Sequence, residues 1–121
     1  MSTEPEMTLV TALIKPQMEG RVIRALHDLS PFPGFSLTEV RGQGRGRGTG
    51  GAYTATEYDF AYHAHLKLQM VCPTETAPSV CRMIALAAWT GKKGDGVIYT
   101  SAATSFLRIR EKGEQANEES R

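Results

Sequence analysis

The stretch Tyr62-His63-Ala64-His65-Leu66-Lys67-Leu68-Gln69-Met70-Val71 decides the fold of this chain, because apolar and polar residues alternate along nearly all of it. Successive side chains of a strand point to opposite faces, so the apolar residues from Tyr62 to Met70 share one face, and the histidines, the lysine and the glutamine share the other. We therefore expect one face of this strand to meet helices, in an antiparallel sheet that is covered on one side.

The residues before this strand predict a strand, a helix and a second strand. Residues 8–14 form a continuous β-favouring run that ends before Pro16. Apolar residues then recur at helical spacing as far as Leu29, and the run Ser30-Pro31-Phe32-Pro33-Gly34 stops this amphipathic helix. Residues 35–40 again favour a strand, although their alternation weakens toward the end.

A glycine- and arginine-rich segment separates these elements from the decisive strand. It has too few apolar side chains to form a core, so we expect a flexible loop over about residues 42–61, used as a lid or as an arm that binds a partner. Single-stranded nucleic-acid binders of this composition carry many repeats with interleaved aromatic residues, whereas here three spaced arginines precede Tyr53. We therefore expect no nucleic-acid partner.

The second half of the chain repeats the order of the first. Thr76 is placed to cap a helix that ends at Thr90-Gly91 and buries a stripe of small and apolar residues. Residues 97–100 and 106–109 predict short strands, and residues 112–121 predict a loose charged tail. The order β-α-β, loop, β-α-β is that of the ferredoxin-like α+β sandwich, which we expect as a single domain over the whole chain.

The sheet face turned away from the helices has a mixed character, with polar Lys67 and Gln69 beside apolar Val71. Burial of this face against further copies of the same chain would explain why both kinds of residue occur there. We therefore expect a closed homotrimer, with ligand sites at the clefts between subunits.

Composition limits the classes of function. The chain has 121 residues, of which 40% are hydrophobic, and a formal net charge of +1, so it has no global basic field for non-specific nucleic-acid binding. No apolar run approaches the length of a membrane span and no signal-peptide pattern opens the sequence, so we expect a cytoplasmic protein without direct membrane insertion. Cys72 and Cys81 are too few for a disulfide framework and are expected to be reduced.

The run Thr90-Gly91-Lys92-Lys93-Gly94-Asp95-Gly96, called the basic loop below, has the composition of an anion site. Its glycines let backbone amides converge, its lysines add positive charge, and Asp95 can fix the turn or accept a hydroxyl. An ordinary helix C-terminus explains the same residues, with Gly91 after the last turn and the lysines near the negative end of the helix dipole. Taken alone, the loop fits this second interpretation better.

The run Arg108-Ile109-Arg110 favours the interpretation of the basic loop as a phosphate-binding site. On a strand, both guanidinium groups would share one face, and two such groups suit a polyphosphate. The alternative is a solvated strand edge next to a charged tail.

Four motifs, in order along residues 8–113, resemble the PII family of nitrogen-regulatory signalling proteins. They are Thr11-Ala12-Leu13-Ile14-Lys15-Pro16, similar to its opening strand; Thr38-Glu39-Val40-Arg41-Gly42-Gln43-Gly44-Arg45, similar to the start of its T-loop; the basic loop, similar to its B-loop; and Arg108-Ile109-Arg110, similar to its arginine pair. The resemblance covers nearly the whole chain.

The resemblance implies a trimeric signal-transduction regulator that binds ATP, ADP or AMP at subunit clefts. It also implies a T-loop that is presented to a target protein, such as a membrane transporter or an enzyme of nitrogen metabolism. The nucleotide-binding residues that it implies are Leu13, Ser36, Gly42, Gly44, Arg45, Val71, Thr90, Gly91, Lys92, Gly94, Asp95, Gly96, Arg108 and Arg110. The residues themselves offer no catalytic triad and no paired carboxylates in an apolar cleft, so we expect no enzymatic activity.

Three positions bear on how far the family pattern holds. Gly46 stands where the family usually has a glutamine that helps to hold magnesium and 2-oxoglutarate, and Val97 stands where a lysine contacts phosphate. Nucleotide binding is still expected, whereas magnesium and 2-oxoglutarate are left open. Tyr58 falls on the tyrosine that some members carry for uridylylation and is a candidate modification site.

The glycine-rich loop, the insertion at residues 31–34 and the run Tyr62-His63-Ala64-His65 are more similar to a divergent PII-like subgroup associated with heavy-metal efflux or other transport. His63 and His65 share a strand face, where imidazoles from neighbouring subunits could converge on copper or zinc. The alternative function is therefore a heavy-metal-responsive binding protein. Polar residues on a partly hydrated strand face explain the same two histidines more simply.

Overall fold

The computed structural model describes residues 6–42 and 63–119 of the chain. Its elements follow the predicted order of strands and helices as far as residue 103, and a helix then stands where a short strand and a loose tail are predicted. They are β1 (Met7–Ile14), a 3₁₀ turn (Pro16–Met18), α1 (Glu19–His27), β2 (Ser36–Gly42), β3 (His63–Pro73), a second 3₁₀ turn (Thr74–Thr76), α2 (Ala77–Ala88), β4 (Gly96–Ala103) and α3 (Ile109–Glu119).

The strands of the described residues form one antiparallel sheet in the order β2-β3-β1-β4. β1 lies inside the sheet, with Val10 opposite Met70 of β3 and Thr100 of β4. Each half of the chain contributes two strands, and the halves interleave, which is the double split arrangement of the ferredoxin-like α+β fold. The predicted fold class is confirmed.

The core lies between one face of this sheet and the helices α1 and α2. Leu66, Leu68 and Met70 are buried there, whereas Lys67 and Gln69 on the other face remain partly exposed, as the alternation in β3 predicts. Full burial of a leucine such as Leu68 contributes about 1.5–3 kcal/mol. The helices close this core with Val22, Leu26, Val80 and Ile84.

The start of α2 differs from the prediction. Thr76 occupies the position before the helix, but its hydroxyl donates a hydrogen bond backward to the Pro73 carbonyl at 2.9 Å and caps no helical amide. The reason is local: Thr76 closes a 3₁₀ turn and already has helical backbone angles, which direct its side chain toward the preceding carbonyls. The predicted side-chain cap is wrong.

Residues 106–109 do not form the predicted strand. β4 ends at Ala103, opposite Met7, which is the first residue of β1. Beyond this point the described chain offers no neighbouring strand, so a β-favouring sequence there finds no hydrogen-bonding partner.

The sequence predicts a loose charged tail after residue 111, but the described chain is helical there as far as Glu119, so this prediction is wrong. α3 contains many residues of high helix propensity, and the Nε of Arg110 lies 3.3 Å from a carboxylate oxygen of Glu114, one helical turn later. Lys112 makes a similar contact with Gln115, again at 3.3 Å. None of its side chains is buried.

Candidate functional site

The basic loop leads the chain from α2 into β4, and Asp95 sets its conformation. The Asp95 carboxylate accepts hydrogen bonds from the backbone N–H of Thr90, at 2.8 Å, and from the Thr90 hydroxyl. The Thr90 hydroxyl oxygen in turn accepts a hydrogen bond from the backbone N–H of Lys92 at 3.1 Å. The loop is therefore closed on itself, and the predicted role of Asp95 in fixing the turn is confirmed.

Lys15, directly after β1, ties the basic loop to the sheet. Its ammonium nitrogen lies 3.1 Å from the Asp95 carboxylate and donates to the Thr90 hydroxyl at 3.2 Å. The hydrogen bonds from Thr90, together with the nearby Lys15 ammonium, hold the pKa of Asp95 well below its usual range. Asp95 is thus ionised at neutral pH, and the Lys15 ammonium compensates its charge.

Sequence reasoning did not identify this role of Lys15. The hydrogen bond from Lys15 to Thr90 joins residues that are 75 positions apart. A lysine at the end of a strand has no local pattern that distinguishes such a structural contact from a solvated charge. The only available signal was that Lys15 lies within a motif that resembles the family's opening strand.

Gly96 lets the end of the basic loop approach β1 closely. Its φ angle is +112°, and a Cβ atom added there would lie 1.7 Å from the carbonyl oxygen of Leu13. Gly91 and Gly94 also have positive φ angles, of 80° and 81°. The backbone path of the loop therefore depends on glycine, as the sequence predicts.

The charge that the basic loop presents to solvent comes from Lys92 and Lys93, which are both exposed. Because Lys15 and Asp95 neutralise each other, the two exposed lysines leave this region positive. A fixed turn with exposed cationic side chains and glycine-exposed backbone can bind an anion by charge and by N–H donation.

The sheet face opposite the helices continues from this loop. Leu13 is half-buried and lies opposite Val97 of β4, and the next residue of β4 on this face is Tyr99. Val97 is 56% exposed and Tyr99 is 52% exposed, so the face leaves large apolar side chains in solvent. Ser36 lies opposite Gln69 on the same face, farther from the loop.

Arg108 and Arg110 lie at the other end of β4. Arg108 precedes α3, with its guanidinium 5.3 Å from the centre of the Phe106 ring, and Arg110 lies in the first turn of α3 beside Glu114. The prediction that a strand presents both guanidinium groups on one face is therefore wrong, for lack of a strand to pair with. β4 has eight residues, which separates these arginines from the basic loop of the same chain by roughly 20 Å or more.

One of the two candidate metal ligands, His65, lies near the basic loop. The Nε2 atom of His65 is 3.4 Å from the carbonyl oxygen of Gly94. His63 begins β3, but its side chain lies outside the part of the chain that the structure describes. Within residues 6–42 and 63–119, no group of three or more His, Cys, Asp or Glu side chains could hold a metal ion. A metal site at these histidines stays a prediction.

Comparison with known proteins decides the family. The family model described as nitrogen regulatory protein P-II matches residues 7–113. The chain belongs to the nitrogen regulatory protein P-II family. The P-II protein of Rhodobacter capsulatus is 38% identical over 112 residues, which cover 91% of this chain and 99% of that protein. The nitrogen regulatory protein GlnK of Escherichia coli (strain K12) is 34% identical over 104 residues, covering 86% and 92%.

The fold agrees with this assignment to the P-II family. The crystal structure of Arabidopsis thaliana PII bound to citrate superposes with a TM-score of 0.69 and 24% sequence identity, and the match covers 91% of this chain and 89% of that one. The resemblance to the PII family is confirmed, and the chain is a regulatory protein of that family. The narrower similarity to a subgroup associated with metal efflux stays a prediction.

Some of the predicted functional residues fall where the structure does not describe the chain. Gly44, Arg45 and Tyr58 lie outside the described residues, so their predicted roles stay predictions. Gly42 ends β2 opposite His63, so the described residues on either side of the predicted T-loop lie side by side. Within the described chain, no helix is both long and apolar enough to cross a membrane.

The structure thus divides the predicted nucleotide-binding residues into two groups. Residues 90–96 and Leu13 come together at one end of the sheet. Arg108 and Arg110 lie beyond the other end, and Val71 lies opposite Leu9, which is closer to that second end.

Proposed function

We propose that this P-II chain is an adenine-nucleotide-responsive signalling regulator. It binds ATP, ADP or AMP at clefts between the subunits of a homotrimer in the cytoplasm. The bound nucleotide sets the arrangement of the T-loop, about residues 42–61, and a target protein distinguishes these arrangements. A membrane transporter and an enzyme of nitrogen metabolism are the proposed kinds of target.

The observation that carries this proposal is the preformed basic loop. Thr90, Asp95 and Lys15 fix its backbone, and Lys92 and Lys93 stay exposed beside it. A site that is rigid before its ligand arrives loses little conformational entropy on binding, which favours affinity for phosphate groups. An ordinary helix end does not need an ion pair from a distant strand to hold its shape.

The positions of Arg108 and Arg110 support a site between subunits. These two arginines lie about the length of β4 away from the basic loop of their own chain. The arginines and the basic loop can therefore contact one nucleotide only if they come from different chains. The sheet face with half-exposed Val97 and Tyr99 offers the apolar surface that an interface between copies requires. This arrangement would complete each site from two chains.

Coupling to the T-loop follows from the strand register. The basic loop enters β4 opposite Ile14, at the same end of the sheet where Gly42 and His63 hold the base of the T-loop. His65 of β3 contacts the Gly94 carbonyl, which links the strand that carries one end of the T-loop to the anion site. A ligand that binds at the basic loop can therefore favour one arrangement of the T-loop over another through this contact.

Titration calorimetry with ATP and ADP, each with and without magnesium, tests this proposal. We expect binding near one nucleotide per chain. Substitution Arg108→Ala or Arg110→Ala should weaken binding by about tenfold or more, since a charged hydrogen bond contributes about 1.5–3 kcal/mol. Lys112→Ala is the matched control, because it removes an exposed cation that lies close to both arginines in the sequence and that the proposed site does not use.

Three results would contradict parts of this proposal. Absence of nucleotide binding by the unmodified protein would reject the function itself. Unchanged affinity in both arginine variants would reject the subunit-cleft site. A monomer in light scattering at the concentration used for titration would reject the homotrimer.

A further inference from the structure

A groove of about 380 Å³ runs between α1 and α2 on the outside of the helical layer. The residues that matter for its chemistry are Arg21, Ala25, Arg82, Met83, Leu86 and Ala87. The proposed homotrimer would use the sheet face on the other side of the chain, so it would leave this groove in solvent.

Several of the described residues that line the groove are apolar, namely Ala25, Met83, Leu86 and Ala87. Leu86 is 70% exposed and lines the groove together with Arg21 and Arg82. An exposed large apolar side chain close to arginine is typical of protein-binding surfaces, where arginine is among the residues that contribute most of the affinity. The sheet-face interface of the proposed homotrimer would not cover Leu86.

The charges on the groove have one sign. Arg21 stands on the α1 wall and Arg82 on the α2 wall, both exposed, and none of the described residues that line the groove is a carboxylate. An occupant that complements this surface must therefore combine negative charge with apolar side chains. Helical segments that carry such side chains at i, i+3, i+4 and i+7 bind in grooves of this form.

We propose that the groove binds an acidic amphipathic segment of a target protein, with apolar side chains against Met83 and Leu86 and carboxylates beside Arg21 and Arg82. This surface is distinct from both the nucleotide site and the T-loop. It gives the regulator a second point of contact with a target, which adds affinity without changing the nucleotide response.

The chain's own α3 is the competing occupant, because it is acidic and fully exposed. Its only large apolar side chain is Ile109, whereas the groove presents a row of apolar side chains that one residue cannot cover. A target segment with several apolar side chains therefore fits the groove better than α3 of a second copy.

A synthetic helical peptide, with leucines at helical spacing and glutamates at the other positions, is the probe. The peptide carries a fluorescent dye at one end, so the fluorescence anisotropy of the dye reports its binding to the protein. We expect a saturable rise in anisotropy as the protein is added to this peptide. A scrambled peptide and a peptide with lysine in place of glutamate should cause no such change.

Substitutions in the groove test whether the peptide binds there. Arg21→Glu combined with Arg82→Glu should weaken the peptide by about tenfold or more, because attraction is replaced by repulsion on both walls. Arg24→Glu is the matched control: it changes the charge of α1 equally, but Arg24 does not line the groove. Leu86→Ala should also weaken binding, and circular dichroism should show an unchanged fold in every variant, since the substituted side chains are exposed.

Each other result overturns the inference. Equal binding of the lysine peptide or of the scrambled peptide would show that the groove does not select acidic amphipathic helices. Unchanged affinity in the double arginine variant would place the peptide elsewhere. Tighter binding of a peptide with the sequence of α3 would assign the groove to a second copy of the chain. ATP titration of the same variants should give unchanged affinity, which separates a failure of the groove from a failure of the nucleotide site.

Discussion

The substitution Gly96→Ala tests the close contact between the basic loop and β1. Gly96 begins β4 opposite Ile14, with a φ angle of +112°. An alanine Cβ would lie 1.7 Å from the carbonyl oxygen of Leu13, and this oxygen is a backbone atom that cannot rotate away. The variant therefore has to change its backbone, at the junction where the sheet meets the candidate site.

Two terms set the magnitude of the effect. A residue other than glycine at a strained positive φ costs about 1–3 kcal/mol. Relief of the clash also requires the first residues of β4 to separate from β1, which loses hydrogen bonds worth about 0.5–1.5 kcal/mol each. We expect Gly96→Ala to lower the free energy of unfolding by about 3 kcal/mol or more. For a domain of this size the midpoint of thermal unfolding should fall by about 10 °C.

Urea denaturation, followed by circular dichroism, measures this effect against a matched variant. Gly20→Ala makes the same chemical change in α1, where no atom lies within 4 Å of the added Cβ and φ is not positive. It should leave stability unchanged or raise it by up to about 1 kcal/mol. Surface substitutions commonly change the free energy of unfolding by up to about 0.5 kcal/mol. If the free energy of unfolding of Gly96→Ala differs from that of the unmodified protein by no more than this, the close contact with Leu13 is refuted.

Three further predictions concern the core, the loop and the surface. Leu68→Ala should lower the free energy of unfolding in urea by about 2–5 kcal/mol, because a fully buried leucine leaves a cavity, and a loss below that range would contradict its burial. The lowered pKa of Asp95 means that its contribution to stability is complete above the ordinary carboxyl pKa of about 4 and is lost as the pH falls further. Asp95→Asn should therefore be less stable than the unmodified protein at neutral pH, and urea midpoints of the two proteins should converge below about pH 4; a constant difference would argue against an ionised Asp95. Glu114→Ala should change the thermal midpoint very little, because its pair with Arg110 is exposed and such pairs contribute about 0–1 kcal/mol.

The sheet could be predicted from the sequence because burial itself creates the pattern. β3 buries one face and leaves the other partly exposed, so Leu66, Leu68 and Met70 had to alternate with polar residues. The glycines of the basic loop were informative for a similar reason, since Gly96 occupies a space that no other residue fits. In both cases a local requirement on residue type is visible in the sequence.

The features that the sequence did not predict correctly have a different physical origin. Residues 106–109 have a β-favouring composition, but strand formation depends on a neighbour, and β1 begins only at Met7, opposite Ala103. The contact of Lys15 with Asp95 likewise depends on how distant segments meet. Tertiary context decides such features, and local composition does not record it.

The distance between the basic loop and the pair Arg108 and Arg110 links the association of subunits to ligand binding. Under the proposed function, the basic loop of one chain and Arg108 and Arg110 of another contact the same nucleotide, since β4 holds them apart within one chain. An isolated chain would then offer only half of the phosphate contacts and would bind weakly. Because the ligand binds the assembled form better, it must stabilise assembly by the same free energy with which assembly strengthens ligand binding. The length of β4 would thus make oligomerisation a condition for nucleotide sensing, and the T-loop, held at the same end of the sheet as the basic loop, would respond to a site that exists only in the assembled protein.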